Sequence, residues 1–291
     1  VRLSFALAAM VLFVFALVPA FGVLVVSFTD LKGLPGLPVH WVGAKNYIDY
    51  FGPGHRADNW NAFRNTMVFA GLTVVSQISL ALVIAGLLNR KLRGRNFYRS
   101  VVFMPTVLGV TVTALIWSLM FNTSGGPVQS LLQVLGTDSA FFGDPSIALY
   151  LVIFVQVWMN LGVSVVIFLS GLQAIPADLY EVAAIDGASS RQSFWHVTIP
   201  MLAPSITANV LLGIVSAMQS YQLTYVLTGA MNKATQVISL QVYQLSFGSR
   251  GGTALTQSQG YAAAISMIQF VLVGAISLAT MTWLRRRERV L

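Results

Sequence analysis

Six stretches of this 291-residue chain carry no Asp, Glu, Lys or Arg. Each is longer than the ~20 residues an α-helix needs to cross the hydrocarbon core of a bilayer. They are Leu3–Thr29, Asn65–Asn89, Ser100–Thr137, Pro145–Ala177, Val197–Asn232 and Gly251–Leu284. Transmembrane strands would run ~9–11 residues with alternating polarity, a pattern these continuous runs do not follow. Within such segments only a helix satisfies its own backbone hydrogen bonds. Trimmed to their most apolar parts, the runs predict helices near 4–28, 66–88, 100–121, 147–170, 202–227 and 261–284. The expected fold is an all-α integral membrane protein of six transmembrane helices, a single domain over 1–291. The first run exceeds the ~7–15 apolar residues of a signal-peptide core and reads as a retained helix, with a short cytoplasmic extension expected before Val1. Pro19, Pro105 and Pro204 fall inside or at the start of spans, where neighbouring helices can satisfy the freed carbonyls. No internal repeat is evident.

Composition excludes the main alternatives. Charged residues make up 9% of the chain and hydrophobic ones 56%, whereas soluble domains carry roughly 25% charged residues. A water-soluble fold of this size could not cover its surface with so few charges. A soluble enzyme, a disordered tail and a disulfide-rich scaffold are ruled out. With no Cys, neither thiol redox chemistry nor a thiolate metal site is available. His40, His55 and His196 are too scattered to form a metal site.

The 17 basic residues orient the chain. With both termini in the cytoplasm, the inner segments hold Arg2, the Arg90–Arg99 group, Arg191 and the Arg285–Arg289 group, 11 in all. The outer segments hold Lys32, Lys45, Arg56, Arg64, Lys233 and Arg250. That asymmetry follows the positive-inside rule. The basic runs are topology anchors near anionic lipid, not a nucleic-acid surface. Residues 30–65, rich in Gly, Pro and aromatics such as Trp41, Tyr47, Tyr50, Phe51 and Trp60, read as a folded outer cap. Residues 234–248 are too short to span and read as a surface helix.

The segment between the fourth and fifth spans, residues 171–200, is organised as two short helices. Pro176 suits a first helical turn. Asp178 and Glu181 favour the positive end of the helix dipole. Small Ala183 and Ala184 allow close approach by another backbone. Gly187 can adopt the left-handed conformation that ends a helix, and Ser189 or Ser190 can cap the next one. On shape alone, interfacial packing and docking of a partner both remain open.

The wording of this loop is more specific. Leu179-Tyr180-Glu181-Val182-Ala183-Ala184-Ile185-Asp186-Gly187-Ala188, followed by Val197-Thr198-Ile199-Pro200, resembles the EAA loop of ATP-binding-cassette importer permeases. Val182 stands at the first Ala of the strict motif, a mild departure. Trp41-Val42-Gly43 with Asn46-Tyr47, Asn65-Thr66, Arg99-Ser100 to Pro105 and Gly260-Tyr261-Ala262-Ala263 are similar to the carbohydrate-uptake branch, the maltose, multiple-sugar and glycerol-phosphate permeases. The resemblance implies a bacterial or archaeal plasma (inner) membrane protein that pairs with a second homologous permease subunit. It also implies two cytoplasmic ATPase subunits and an external solute-binding protein. Tyr180, Glu181, Ala183, Ala184, Asp186, Gly187 and Pro200 then become ATPase-coupling residues. ATP and Mg would bind the partner ATPases. The chain itself is expected to have no cofactor and no catalytic residue, since it contains no G-x-x-x-x-G-K-[S/T] motif and Gly251-Gly252 lacks the Lys.

Polar side chains inside spans are costly and often mark an aqueous path. The fourth span places Gln156, Asn160 and Ser164 at intervals of four, on one face. The fifth places Ser216, Gln219 and Ser220 on one face, with Asn209 and Thr224 in the same stripe. Neutral amides and hydroxyls match the donors and acceptors of a sugar. Hydrogen bonding between packed helices is the competing reading. The family resemblance implies sugar contacts a little over twenty residues before Glu181 and about thirty-five after it, offsets that these residues meet. Trp117, Trp158 and Tyr221 suit ring stacking on a sugar, or packing. The absence of an intramembrane carboxylate argues against a stand-alone, proton-coupled secondary transporter. The absence of Arg or Lys in the spans argues against a permease for glycerol phosphate. A purely structural membrane scaffold leaves the EAA loop unexplained.

Overall fold

The computed structural model describes residues 9–33, 36–90, 93–229, 232–248 and 258–288. The first residues of the expected first span, Arg2, Lys91, Arg250, Gly251-Gly252 and Arg289 lie outside the described residues. The helices, in chain order, are α1 (Ala9–Val26), α2 (Lys45–Phe51), α3 (Arg56–Asn89), α4 (Arg95–Val107), α5 (Val110–Met120), α6 (Pro127–Val134) and α7 (Ala148–Ala174). They continue with α8 (Ala177–Ile185), α9 (Ser190–Met201), α10 (Ala203–Met218), α11 (Gln222–Thr228), α12 (Ile238–Phe247) and α13 (Gln259–Glu288). An antiparallel bridge between Thr29 and Trp41 stands outside any strand. The all-helical expectation holds. Helices α1, α3, α7 and α13 are long and apolar enough to cross a membrane, and counting each of two bent helix pairs as one span gives six.

The first of these bends departs from the unbroken helix expected over 100–121, and the second falls at the expected start of the 202–227 helix. Helices α4 and α5 meet at 101° across Leu108 and Gly109, both extended, with ψ of 133° and 150°. Pro105 lies inside α4. Its missing N–H and its ring weaken the hydrogen-bond ladder one turn before the break. Helices α9 and α10 meet at 65° about Leu202, between Pro200 and Pro204, each of which removes a donor. The expected 202–227 helix also stops early: α10 ends at Met218, and Gln219–Tyr221 separate it from α11.

The chain forms two compact units, residues 67–229 with 273–291 and residues 1–66 with 230–272. In the first, Ala81, Ala85 and Leu88 of α3 share a buried cluster with Val165, Phe168, Leu169 and Leu172 of α7. The alanines let the two helices approach closely, the usual basis of helix packing where no hydrophobic force drives it. In the second, the cap is held by the residues singled out in its sequence. Trp41 stacks on Phe28 at 5.5 Å between ring centroids. Tyr47 shares a 2.7 Å hydrogen bond with Ser27. The Asn46 amide donates to the carbonyls of Ser27 and Thr29 at 2.8 and 2.9 Å. The backbone N–H of His40 and then its ring nitrogen bond the Asp30 carboxylate, at 2.6 and 3.0 Å, holding that carboxyl below its ordinary value.

The expected surface helix at 234–248 forms as α12 over Ile238–Phe247, with its first turn buried rather than on the surface. Ile238, Ser239, Leu240 and Gln241 are buried, and Ile238 packs with Tyr50, Ala62 and Ile265. The Asn65 amide donates to the carbonyls of Ala234 and Gln236, both at 3.1 Å. The Thr66 hydroxyl accepts the Ile238 N–H at 2.9 Å. Asn65-Thr66 therefore fastens the start of α12.

Candidate functional site

The loop between α7 and α10 takes the two-helix form expected of it. Pro176 is the N-cap of α8 and Asp178 lies in its first turn. Gly187 closes it at φ +78°, where the Ala188 N–H reaches the Ala183 carbonyl at 2.9 Å and the Gly187 N–H reaches that of Ala184 at 3.1 Å. This paired closure needs a left-handed residue just past the helix end. Ser189, rather than Ser190, caps the next helix, in a reciprocal capping box with Gln192.

Tyr180 is half-buried against the α3–α7 cluster. Its hydroxyl shares a 3.0 Å hydrogen bond with Thr198, which ties α8 to α9. Residues Phe194–Thr198 of α9 form a π-helical turn, a local irregularity often found at functional sites. The outer face of α8 is open. Glu181, Ala184, Asp186 and Gly187 are exposed and Ala183 half-buried. Val182 is 56% and Ile185 85% exposed. Pro200 lies at the end of α9, just before the Leu202 bend.

A second set of candidate residues converges on a cavity of about 330 Å³. Gln156 and Asn160 come from α7 and Ser216 from the last turn of α10, with Gln219 and Ser220 in the break that follows. The Ser220 hydroxyl donates to Gln156 Oε1 at 2.9 Å. The Asn160 amide donates to the Gln156 carbonyl at 3.1 Å. Ser216, Gln219 and Ser220 were expected on one helical face, yet the break means only Ser216 is helical. Non-helical backbone at membrane depth is tolerated where it lines a cavity or is buried in protein. The cavity lining contains no charged side chain.

Ser164 stands apart from this group. It is buried, its hydroxyl accepts from the Gln77 amide at 2.7 Å, and its carbonyl accepts from Asn209 at 3.4 Å. It joins α7 to α3 and α10, the packing role that competed with solute contact. Trp117 and Trp158 meet edge to face at 5.4 Å within an aromatic cluster that includes Phe154 and Phe121, and neither lines the cavity. Tyr221 does, as does Gln222, which reasoning from the sequence passed over. The run Gln219-Ser220-Tyr221-Gln222 is the signal that was available: four residues able to hydrogen-bond, in succession within an apolar segment.

The family model of the binding-protein-dependent transport system inner membrane component matches residues 77–290. The multiple sugar-binding transport system permease protein MsmF of Streptococcus mutans serotype c is 34% identical over 265 residues, 91% of this chain and 88% of that protein. The trehalose/maltose transport system permease protein MalF of Thermococcus litoralis is 32% identical over 266 residues, 90% of this chain and 86% of that protein. Among solved structures, a bacterial ABC transporter involved in import of the acidic polysaccharide alginate has the same fold. It matches with a TM-score of 0.80 over 98% of this chain and 96% of that one, at 21% identity. On the family match and these identities, the chain belongs to the binding-protein-dependent transport system inner membrane components.

Proposed function

We propose that this chain is one of two permease subunits forming the path of an ATP-binding-cassette importer for a sugar or oligosaccharide. An external solute-binding protein delivers the solute. Two cytoplasmic ATPase subunits bind ATP and Mg, and this chain needs no cofactor of its own. Both termini face the cytoplasm of a bacterial or archaeal cell. The observation that carries the reading is the uncharged cavity of amides and hydroxyls, built on Gln156, Asn160, Ser216, Gln219 and Ser220. Its donors and acceptors suit a neutral polyhydroxylated solute.

The coupling follows from chain connectivity. α8 docks on an ATPase through its open face around Glu181, Val182 and Ile185. Its movement passes through the Tyr180–Thr198 hydrogen bond into α9, and past the Leu202 bend into α10. The far end of α10 carries Ser216, with Gln219 immediately beyond it. Closure of the ATPase pair therefore moves one wall of the cavity against α7.

The test is sugar uptake by the reconstituted complex at saturating binding protein. Asn160→Ala and Gln219→Ala are each expected to lower uptake about 5- to 150-fold, the equivalent of ~1–3 kcal/mol for one hydrogen-bond partner lost to the enclosed solute. Assembly and basal ATPase activity should stay near normal. Wild-type uptake in both variants, or loss only through dissociation of the complex, places the solute site elsewhere.

A further inference from the structure

A groove of about 470 Å³ lies between α4 and α7, outside the uncharged cavity. Its wall is apolar, with Val102 and Phe103 on α4 and Val166 and Leu169 on α7. One end is polar, where Arg99, Ser100 and Gln173 meet. There the Gln173 amide is oriented with its oxygen toward two guanidinium groups. It accepts from Arg95 Nη2 at 2.7 Å and from Arg99 Nη2 at 2.8 Å. The Nε atoms of both arginines are buried without a hydrogen-bond partner. Among the described residues no carboxylate forms an ion pair with either arginine. Two cations thus converge on one neutral acceptor, an arrangement that favours an anion with several oxygens.

The groove has the depth of one leaflet. From Gln173 to Gly162, both of which line it, α7 rises about 16 Å at ~1.5 Å per residue. Half of the ~30 Å hydrocarbon core is about 15 Å. Gln173 is also next to the last residue of α7, so the cationic end sits where the helix leaves the membrane. We infer that the groove holds an anionic phospholipid of the cytoplasmic leaflet, with its phosphate on Arg95 and Arg99 and an acyl chain along Val166 and Leu169. Basic pockets between helices on the cytoplasmic side are suited to such headgroups. The leaflet assignment rests on the proposed orientation of the chain; the binding chemistry does not depend on the transported solute. The site lies one short connection from α8, so its occupancy bears on the pose of the coupling loop.

Native mass spectrometry of the intact detergent-solubilised complex tests this, with added phosphatidylglycerol, phosphatidylcholine or water-soluble glycerol phosphate. Wild type should retain phosphatidylglycerol over phosphatidylcholine, and Arg95→Gln with Arg99→Gln should weaken that retention at least about tenfold. Val166→Trp keeps both charges but fills the groove, and should also displace the lipid. A Ser170→Cys variant reports cover by another subunit through crosslinking. Equal retention of both lipids overturns the inference. So does unchanged retention in Val166→Trp, or full competition by glycerol phosphate, which reduces the site to a free-anion contact. Efficient crosslinking of position 170 to another subunit overturns it as well. Sugar uptake is not read in any arm, and an outward-facing position 191 on thiol labelling would refute the orientation alone.

Discussion

Gly162 offers a direct test of how the broken span is held. A Cβ at this position would lie 2.8 Å from the Val102 carbonyl oxygen and 2.9 Å from Phe103 Cα and Thr106 Cγ2. Non-bonded carbons prefer ~3.5–4.0 Å, so α4 must retreat by roughly 0.6–1.1 Å in Gly162→Ala. Two of the three obstructing atoms are backbone, and no change of rotamer removes them. Overpacking of this kind costs about 1–3 kcal/mol. Gly86 on α3 is the control, since nothing lies within 4 Å of its Cβ position. Both alanines gain the same ~0.8–1.0 kcal/mol of helix propensity, so the difference between the two variants isolates the overpacking cost. At ~2–4 °C per kcal/mol for a domain of this size, Gly162→Ala should melt about 2–12 °C below Gly86→Ala in the solubilised complex. Uptake should fall too if the proposed solute path is right, because α4 leads into α5, whose Val110 lines the uncharged cavity. Equal melting temperatures for the two variants would refute the close approach of α4 to α7.

Gly187→Val forces a β-branched residue into φ +78°, at a cost of at least ~1–2 kcal/mol. It should abolish uptake while the permease pair still assembles, and Glu181→Lys should do the same by reversing charge on the docking face; normal uptake by reconstituted Gly187→Val sinks the coupling role. The chain has no Cys, so single cysteines at the exposed positions 55 and 191 report orientation in intact cells. An impermeant thiol reagent should label 55 and spare 191, and the reverse pattern inverts the topology. The Asp30 carboxyl, lowered from 3.8 chiefly by the His40 backbone N–H, stabilises the cap above its ordinary value and loses that contribution as pH falls through the lowered one. Amide exchange at His40, corrected for its intrinsic pH dependence, should stay slow at pH 5–7 and accelerate only below about 4. Asp30→Ala should exchange fast throughout, and a wild-type transition near neutral pH would contradict this account.

Sequence alone determined the material of this protein. Uncharged runs of more than ~20 residues leave the backbone no choice but helix, because hydrocarbon supplies no other hydrogen-bond partner. The form of the α8–α9 loop was equally legible, since Gly187, Ser189 and Asp178 act through local backbone geometry a few residues away. Only the tertiary structure decided the rest. Hydropathy sums composition over a whole span, and it cannot register that Leu108-Gly109 or Gln219–Tyr221 leave the helix. The fate of a buried polar group depends on what a neighbouring helix brings to it. Ser164 shares a face of α7 with Gln156 and Asn160, yet Gln77 and Asn209 claim it for packing, while Gln156 and Asn160 line the cavity together with Gln219–Tyr221 of the α10–α11 break. The 234–248 segment read as a surface helix because it is too short to span, but Thr66 and Ala62, more than 170 residues earlier, pack on its first turn and Asn65 binds the carbonyls just before it. Such choices are made by chain segments far apart in sequence, and no local pattern encodes them.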